Sequence, residues 1–278
     1  MDRREGHGLA RKRHDHGRLT VRAAAASLVL AACGLAVAAG GGEIAPAERV
    51  SGFGQMQPEI QAMQREDLSN PGMLAVRAGE TLWNGAPPGG AACAACHGEA
   101  SASMRGVAAR YPVFDARTGR AIDLTGQVNR CRTERQGQAP LASDATDMLA
   151  LTAFVGMQSR GLPVASPEDA RLEAARALGR ELYHRRMGQL DLSCSQCHDD
   201  NWGRRLGSSL IPQGHANGYP LYRLEWQSLG SFYRRLRNCM TGVRAEPFLA
   251  GSDEAIALEL HLATRGGGLP VETPAVRP

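Results

Sequence analysis

Two pentapeptides, Cys93-Ala94-Ala95-Cys96-His97 and Cys194-Ser195-Gln196-Cys197-His198, repeat one pattern 101 residues apart. With seven Cys and eight His in 278 residues, chance would supply roughly 0.005 such pentapeptides, so two copies are a signal. The spacing suits haem attachment: the two thiols add across the porphyrin vinyl groups while the next residue reaches the iron. Cys93, Cys96, Cys194 and Cys197 are therefore expected to carry two covalently bound haem c groups, with His97 and His198 as iron ligands. Paired Cys-X-X-Cys also binds zinc, but the gap of a hundred residues and a His in the same slot both times favour haem.

The sixth ligand decides the chemistry. A haem-bearing electron carrier commonly closes its iron with a downstream Met. Here Met104, Met148 and Met157 have no Met at the corresponding place in the other half, and His215 falls in or near an insertion. Cys131 and Cys239 do correspond, since each lies 20 residues after a Tyr-Pro pair, at Tyr111 and Tyr219. A thiolate on each iron would stabilise the ferric state and give low potentials. The other fate open to these two thiols in an exported chain is a disulfide with each other. Equivalent positions in two domains would each lie beside their own iron, which argues against that pairing.

These residues have to be positioned twice, and the chain repeats the elements that would do so. Gly79-Glu80-Thr81-Leu82-Trp83 answers Gly179-Arg180-Glu181-Leu182-Tyr183, and Gly161-Leu162-Pro163-Val164 answers Gly268-Leu269-Pro270-Val271. The register grows from about 100 near the motifs to 107 or 108 later, which places a short insertion after the second motif. Apolar-periodic runs from Ser143 to Met157 and from Ser252 to Thr264, each opened by Ser-Asp, predict N-capped helices over the haems. Ser166-Pro167-Glu168-Asp169 predicts the start of another helix, running to about Arg186. The expected fold is mainly α: two tandem cytochrome c domains arising from internal duplication, over residues 40–165 and 166–278, with a short helical arm near Pro58 to Leu68.

The two halves differ in charge around the downstream Cys. Arg234, Arg235, Arg237 and Arg244 surround Cys239, and Arg204 and Arg205 follow the second motif. Cationic side chains lower a thiol's pKa and gather small oxyanions. Near Cys131 stand Arg130, Arg132 and Arg135, but Gln136 occupies the place of Arg244. The second haem is thus the expected reaction site.

Residues 1–39 read as an export signal, with basic residues leading into the apolar run from Ala23 and a small-residue cleavage site at Ala36-Val37-Ala38, so the mature protein is expected in the periplasm. Leu30-Ala31-Ala32-Cys33 also resembles a lipoprotein cleavage box. Residues 1–39 hold seven of the 32 Lys/Arg and three of the 28 Asp/Glu, so the remainder carries 25 of each sign and its only basic residue type is Arg. Such a neutral chain offers no basic footprint for nucleic acid. Past the signal, no segment reaches the roughly 18 apolar residues of a membrane span.

With its two haem motifs and a downstream Cys in each half, the chain resembles the SoxA family, the dihaem subunits of the SoxAX cytochromes of bacterial sulfur oxidation. The resemblance covers essentially the whole mature chain and is most specific over Arg237-Asn238-Cys239-Met240-Thr241-Gly242-Val243-Arg244-Ala245-Glu246-Pro247-Phe248. It implies an L-cysteine S-thiosulfotransferase that oxidatively joins thiosulfate to a cysteine of a SoxYZ-like carrier and passes electrons to cytochrome c, with a SoxX-like monohaem cytochrome as partner subunit. By the family pattern His97 with Cys131, and His198 with Cys239, ligate the two irons. Cys239, commonly found as a persulfide, would be the catalytic sulfur, and Arg244 would hold the substrate anion. Two other readings stand beside it. A non-enzymatic dihaem electron carrier calls for Met at both sixth positions. A dihaem peroxidase needs an open haem and a distal acid or base, for which His184, His215 and His261 are the candidates.

Overall fold

The computed structural model describes residues 44–278. Residues 1–39, expected as an export signal, and Cys33 within them lie outside the described residues. Among the described residues no helix is long and apolar enough to cross a membrane.

In chain order, α1 (Pro58–Arg65) is the helical arm; α2 (Met73–Asn84) leads to the first motif helix α3 (Cys93–His97) and a short α4 (Ala100–Ser103). A hairpin follows, β1 (Val113–Asp115) with β2 (Arg120–Ile122), then α5 (Leu124–Arg135) and α6 (Thr146–Met157). The second half runs through α7 (Glu173–His184), the second motif helix α8 (Cys194–His198), and a small hairpin, β3 (Arg205–Leu206) with β4 (Ser209–Leu210). It continues with a second hairpin, β5 (Leu221–Arg223) and β6 (Ser228–Gly230), then α9 (Phe232–Gly242), α10 (Asp253–Arg265) and β7 (Ala275–Arg277). β7 pairs parallel to β5, so the C-terminus completes a three-stranded sheet. The fold is mainly α, as expected. The short strands were not legible because three-residue ladders show no alternation to read.

Each half is built on one helix crossing. α2 packs on α6 where a Cβ on Gly79 would stand 2.1 Å from Ala150 O, and α7 packs on α10 where a Cβ on Gly179 would stand 2.1 Å from Ala257 O. Glycine at the crossing lets two backbones meet, and Trp83, Phe154 and Val155 in one half and Leu182, Tyr183 and Leu258 in the other fill the rest of the core. Helix α6 is buried from Met148 to Gly156, apolar all round, because it is covered on more than one side.

Helix starts differ from expectation in two places. Ser252 caps α10 by accepting from Ala255 N at 3.3 Å, as its sequence suggests. Ser143-Asp144 does not cap α6, which begins after Ala145; Asp144 instead accepts from Ser231 N at 3.0 Å and ties the first half to α9. Ser166-Pro167 does not open α7 either. Asp169 caps a single 3-10 turn, and α7 starts at Glu173 and ends at His184.

The halves join through their matching Gly-Leu-Pro-Val segments. Gly161 N donates to Val271 O and Gly268 N to Val164 O; Val271 N donates to Leu162 O and Val164 N to Leu269 O, at 2.8–2.9 Å. Exchanging the two segments reproduces the same set of bonds, a local two-fold arrangement about Pro163 and Pro270.

A buried acid cluster lies at the same seam. Tyr233 Oη of α9 is 3.0 Å from Asp123 Oδ2 at the start of α5 and 3.1 Å from Glu259 Oε2 of α10. One hydroxyl proton can serve only one acceptor, so a carboxyl must supply the other. Burial and the neighbouring Asp123 charge push Glu259 up to about 8. Its folded pKa lies above the usual carboxylate value of about 4.3, so its contribution to stability is full below that value and is lost as pH rises through about 8. Glu259→Gln should therefore flatten the loss of stability between about pH 5 and 9, measured by denaturant unfolding across pH. Parallel curves for wild type and variant would contradict the assignment.

Candidate functional site

Both motif helices present a thiol pair and a His within five residues. Around α3, Cys93, Cys96, His97 and Cys131 line one cavity of about 240 Å³ whose other walls include Trp83, Leu124, Val128 and Val155. Cys131 is the eighth residue of α5, and Cys239 is the eighth of α9. Both sit inside their helices. None of the six described cysteines is disulfide-bonded, Cys131 and Cys239 included.

The second site is more tightly built. Ser193 and Gln196 form a capping box that starts α8. His198 Nδ1 lies 2.7 Å from Pro212 O, which can only accept, so Nδ1 carries the proton and Nε2 is left to the interior. Gly214, at φ +78°, lies so close to that ring that a Cβ would stand 2.9 Å from its Cγ. Cys239 faces His198 across the site. Burial, the largest influence on this thiol, pushes its pKa up, yet the nearby His198 ring and the charges of Arg235 and Arg223 bring it below the usual value. Cys93, Cys194 and Cys197 all shift the other way through burial, Cys194 to about 12.

The residues fit haem c. Among the described residues no three His, Cys, Asp or Glu side chains converge as a metal cage, so the zinc alternative has no donor set. The first site instead offers an apolar slot with a thiol pair and His on one wall and a thiol on the other.

The arginines sort by position. Arg235 lies one helical turn before Cys239 on the same face of α9; Arg223, on β5, pairs with Glu225 at 2.9 Å and lies 5.2 Å from the Trp226 ring centroid, and its charge acts on the thiol from there. Arg234 instead packs over Trp226, 4.2 Å from the ring centroid, and donates to Ser228 Oγ at 3.2 Å. Arg237 is exposed, as are Arg204 and Arg205, which stand on and beside the β3–β4 hairpin; that hairpin is the insertion after the second motif. Arg244 follows α9 at φ +59°, exposed, its backbone O accepting from Gln189 N at 3.3 Å. Gly188 makes that docking possible, since a Cβ there would stand 2.1 Å from Val243 O. Arg244 Nη1 is 3.5 Å from Gln189 Oε1.

At the matching positions, 108 residues earlier, the first site holds Gln127 for Arg235, Asp115 for Arg223 and Gln136 for Arg244. Gln127 Nε2 contacts Cys131 Sγ at 3.7 Å, Asp115 is paired to Arg130, and Gln136 is buried against Ala91 O at 2.7 Å. At these three matched positions the first half thus has neutral or paired side chains and the second has arginine, although Arg132 and Arg135 stand elsewhere on the wall of the Cys131 cavity. Arg223, Gly188 and Gln189 were missed from the sequence, though the 108-residue register would have set Arg223 opposite Asp115.

Residues 78–164 match the family model described as SoxA/TsdA, cytochrome c domain. The chain is 40% identical over 232 residues to the L-cysteine S-thiosulfotransferase subunit SoxA of Pseudaminobacter salicylatoxidans, covering 83% of this chain and 81% of that one. To the subunit of the same name from Paracoccus pantotrophus it is 37% identical, over 82% of this chain and 78% of the relative. The solved structure of SoxXA from P. pantotrophus superposes with a TM-score of 0.80 at 36% identity, covering 83% of this chain and 87% of the other.

Proposed function

The chain belongs to the SoxA family of c-type cytochromes, and on that premise we propose the reading its second site supports best. It is an L-cysteine S-thiosulfotransferase subunit, which conjugates thiosulfate to a carrier cysteine by oxidation. The carrier thiol gives up its proton, a sulfur–sulfur bond forms to the outer sulfur of thiosulfate, and two electrons leave to cytochrome c. The carrier is a SoxYZ-like protein, and a SoxX-like haem subunit completes the assembly.

Two haem c groups bind, one per half: Cys93 and Cys96 with His97 and Cys131, then Cys194 and Cys197 with His198 and Cys239. The matching crossings at Gly79 and Gly179 support an origin by duplication, with domains at 40–165 and 166–278. Haem, when bound, supplies one-electron acceptance beside the reacting sulfur. The protein supplies the rest. Arg235 and Arg223 favour the thiolate of Cys239, and His198 is held with Nε2 inward. Arg244, at the exposed end of the helix, meets the incoming dianion with a planar fork that suits an oxyanion. A periplasmic site of action follows from the export signal.

The observation that carries this reading is the charge asymmetry between the two sulfurs. An electron-only relay gives no reason to hold arginine at 223, 235 and 244 where the first half has Asp115, Gln127 and Gln136, and it asks for Met where both halves hold Cys. The test is a peptide-resolved mass spectrum of the periplasmically matured protein. Two haems and an extra sulfur on Cys239 support the reading; a Cys131 to Cys239 disulfide overturns it.

Arg244→Ala is expected to lower kcat/KM for thiosulfate by about tenfold with both haems attached, while Arg244→Lys keeps part of the activity because it retains the charge and loses the fork. Unchanged steady-state kinetics in the alanine variant would remove Arg244 from the site.

A further inference from the structure

We propose that Arg265 is a positioning residue for His198: a buried clamp that fixes the orientation of the nitrogen ligand at the second haem and has no counterpart at the first. The inference rests on the assignment of His198 as an iron ligand.

Arg265 ends α10 and is 3% exposed. Its guanidinium spans two backbone segments. Nη1 donates to Gln213 O; Nη2 donates to His198 O at 3.3 Å and to Asp199 Oδ1. The Asp199 side chain is buried too, and it also accepts from Tyr183 Oη at 3.0 Å, while the Tyr183 ring lies 5.3 Å from the guanidinium carbon. The second carboxylate oxygen and Arg265 Nε have no protein partner. The fork is thus spread over two carbonyls instead of closing on the carboxylate, which is the geometry of a tie between segments rather than of a maximal ion pair.

The two segments tied are those that hold the His198 ring. One is the backbone of His198 itself. The other is Pro212–Gly214, whose Pro212 O accepts from Nδ1 and whose Gly214 packs on the ring face. The clamp is braced from the N-terminal side, because the Gln213 side chain accepts from Val50 N at 2.8 Å and donates to Glu48 O at 3.0 Å. The guanidinium holds Gln213 O, one residue along from the Pro212 O that accepts from the imidazole, so rotating the ring would work against a segment anchored beside its acceptor. Partners of this kind set ligand orientation and basicity, and through them the properties of the metal.

At the matching positions the first half has Gly98 for Asp199, Phe154 for His261 and Gln158 for Arg265. Gln158 Nε2 donates only within its own helix, to Phe154 O at 3.0 Å. A buried guanidinium and carboxylate cost desolvation that apolar residues avoid, and the first half manages its crossing without them. Their presence behind one motif His alone points to a task at that ligand.

The experiment is electron paramagnetic resonance and redox titration of the purified dihaem protein, comparing wild type with Arg265→Gln, Arg265→Lys and Asp199→Asn, and Gln158→Ala as the first-half control. Shifted or broadened g values and a moved midpoint potential are expected for the second haem only, with turnover down roughly tenfold. Arg265→Lys should show the same spectral change, because an ammonium keeps the charge but cannot bridge both carbonyls. A lowered melting temperature with second-haem g values and potential at wild-type positions would make Arg265 a folding residue and overturn the proposal. If Arg265→Gln does not accumulate, Arg265→Lys decides on the same readouts. A wild-type protein lacking a second His/thiolate signal would instead overturn the ligand assignment, and the clamp with it.

Discussion

Cys239→Ala is expected to abolish thiosulfate conjugation, with a loss on the order of 10³-fold or more, as when a covalent nucleophile is removed from an enzyme that depends on it. Cys131→Ala should leave turnover largely in place and alter the first haem alone. The difference does not come from helix position, since both thiols are the eighth residue of their helices. It comes from what faces them. Arg235, Arg223 and the His198 contact lower the Cys239 pKa against the effect of burial. Cys131 has Gln127 one turn before it and Asp115 paired to Arg130 at the matching positions, with Arg132 and Arg135 farther along the wall of its cavity. The measurement is single-turnover conjugation to the carrier with thiosulfate, read by mass spectrometry of the carrier cysteine. Turnover retained in Cys239→Ala and lost in Cys131→Ala would reverse the assignment of the two haems.

Gly179→Val should be the most damaging change away from the sulfurs. Its Cβ would stand 2.1 Å from Ala257 O, 2.7 Å from Ala257 C and 2.9 Å from His261 Cβ. Two of those atoms are helix backbone, which has no rotamer to escape into, so α7 and α10 must separate and open the core at Leu182 and Leu258. Overpacking of this kind costs about 3 kcal/mol, which in a protein of this size lowers the melting temperature by about 10 °C. Gly242→Ala at the end of α9 is the control, because a Cβ there meets nothing within 4 Å. Thermal unfolding of the holoprotein followed in the Soret band checks both. A Gly179→Val protein melting with wild type would mean the crossing is looser than this packing implies.

The two Cys-X-X-Cys-His motifs and their repetition were legible along the chain alone. Cys-X-X-Cys-His is contiguous, and the geometry it needs is that of one helical turn, so no tertiary information is required to read it. The pairing of Cys131 with Cys239 was likewise legible, through spacing from the repeated Tyr-Pro. Both helix crossings were marked by glycines at matching places, although only coordinates show that Ala150 O and Ala257 O are what those glycines admit.

Tertiary structure decided which charges act. Six arginines near Cys239 look alike along the chain. The fold turns Arg235 toward the thiol, lays Arg234 on Trp226 and leaves Arg237, Arg204 and Arg205 exposed. It also brings in Arg223 from a strand 16 residues upstream and Arg265 from the end of another helix. The physical reason is range. A haem motif works through bonds between near neighbours in the chain, whereas a guanidinium acts on whatever lies within a few ångströms of its tip. What lies there depends on how α7, α9, α10 and the β5–β6 hairpin pack, and single residues do not announce that packing.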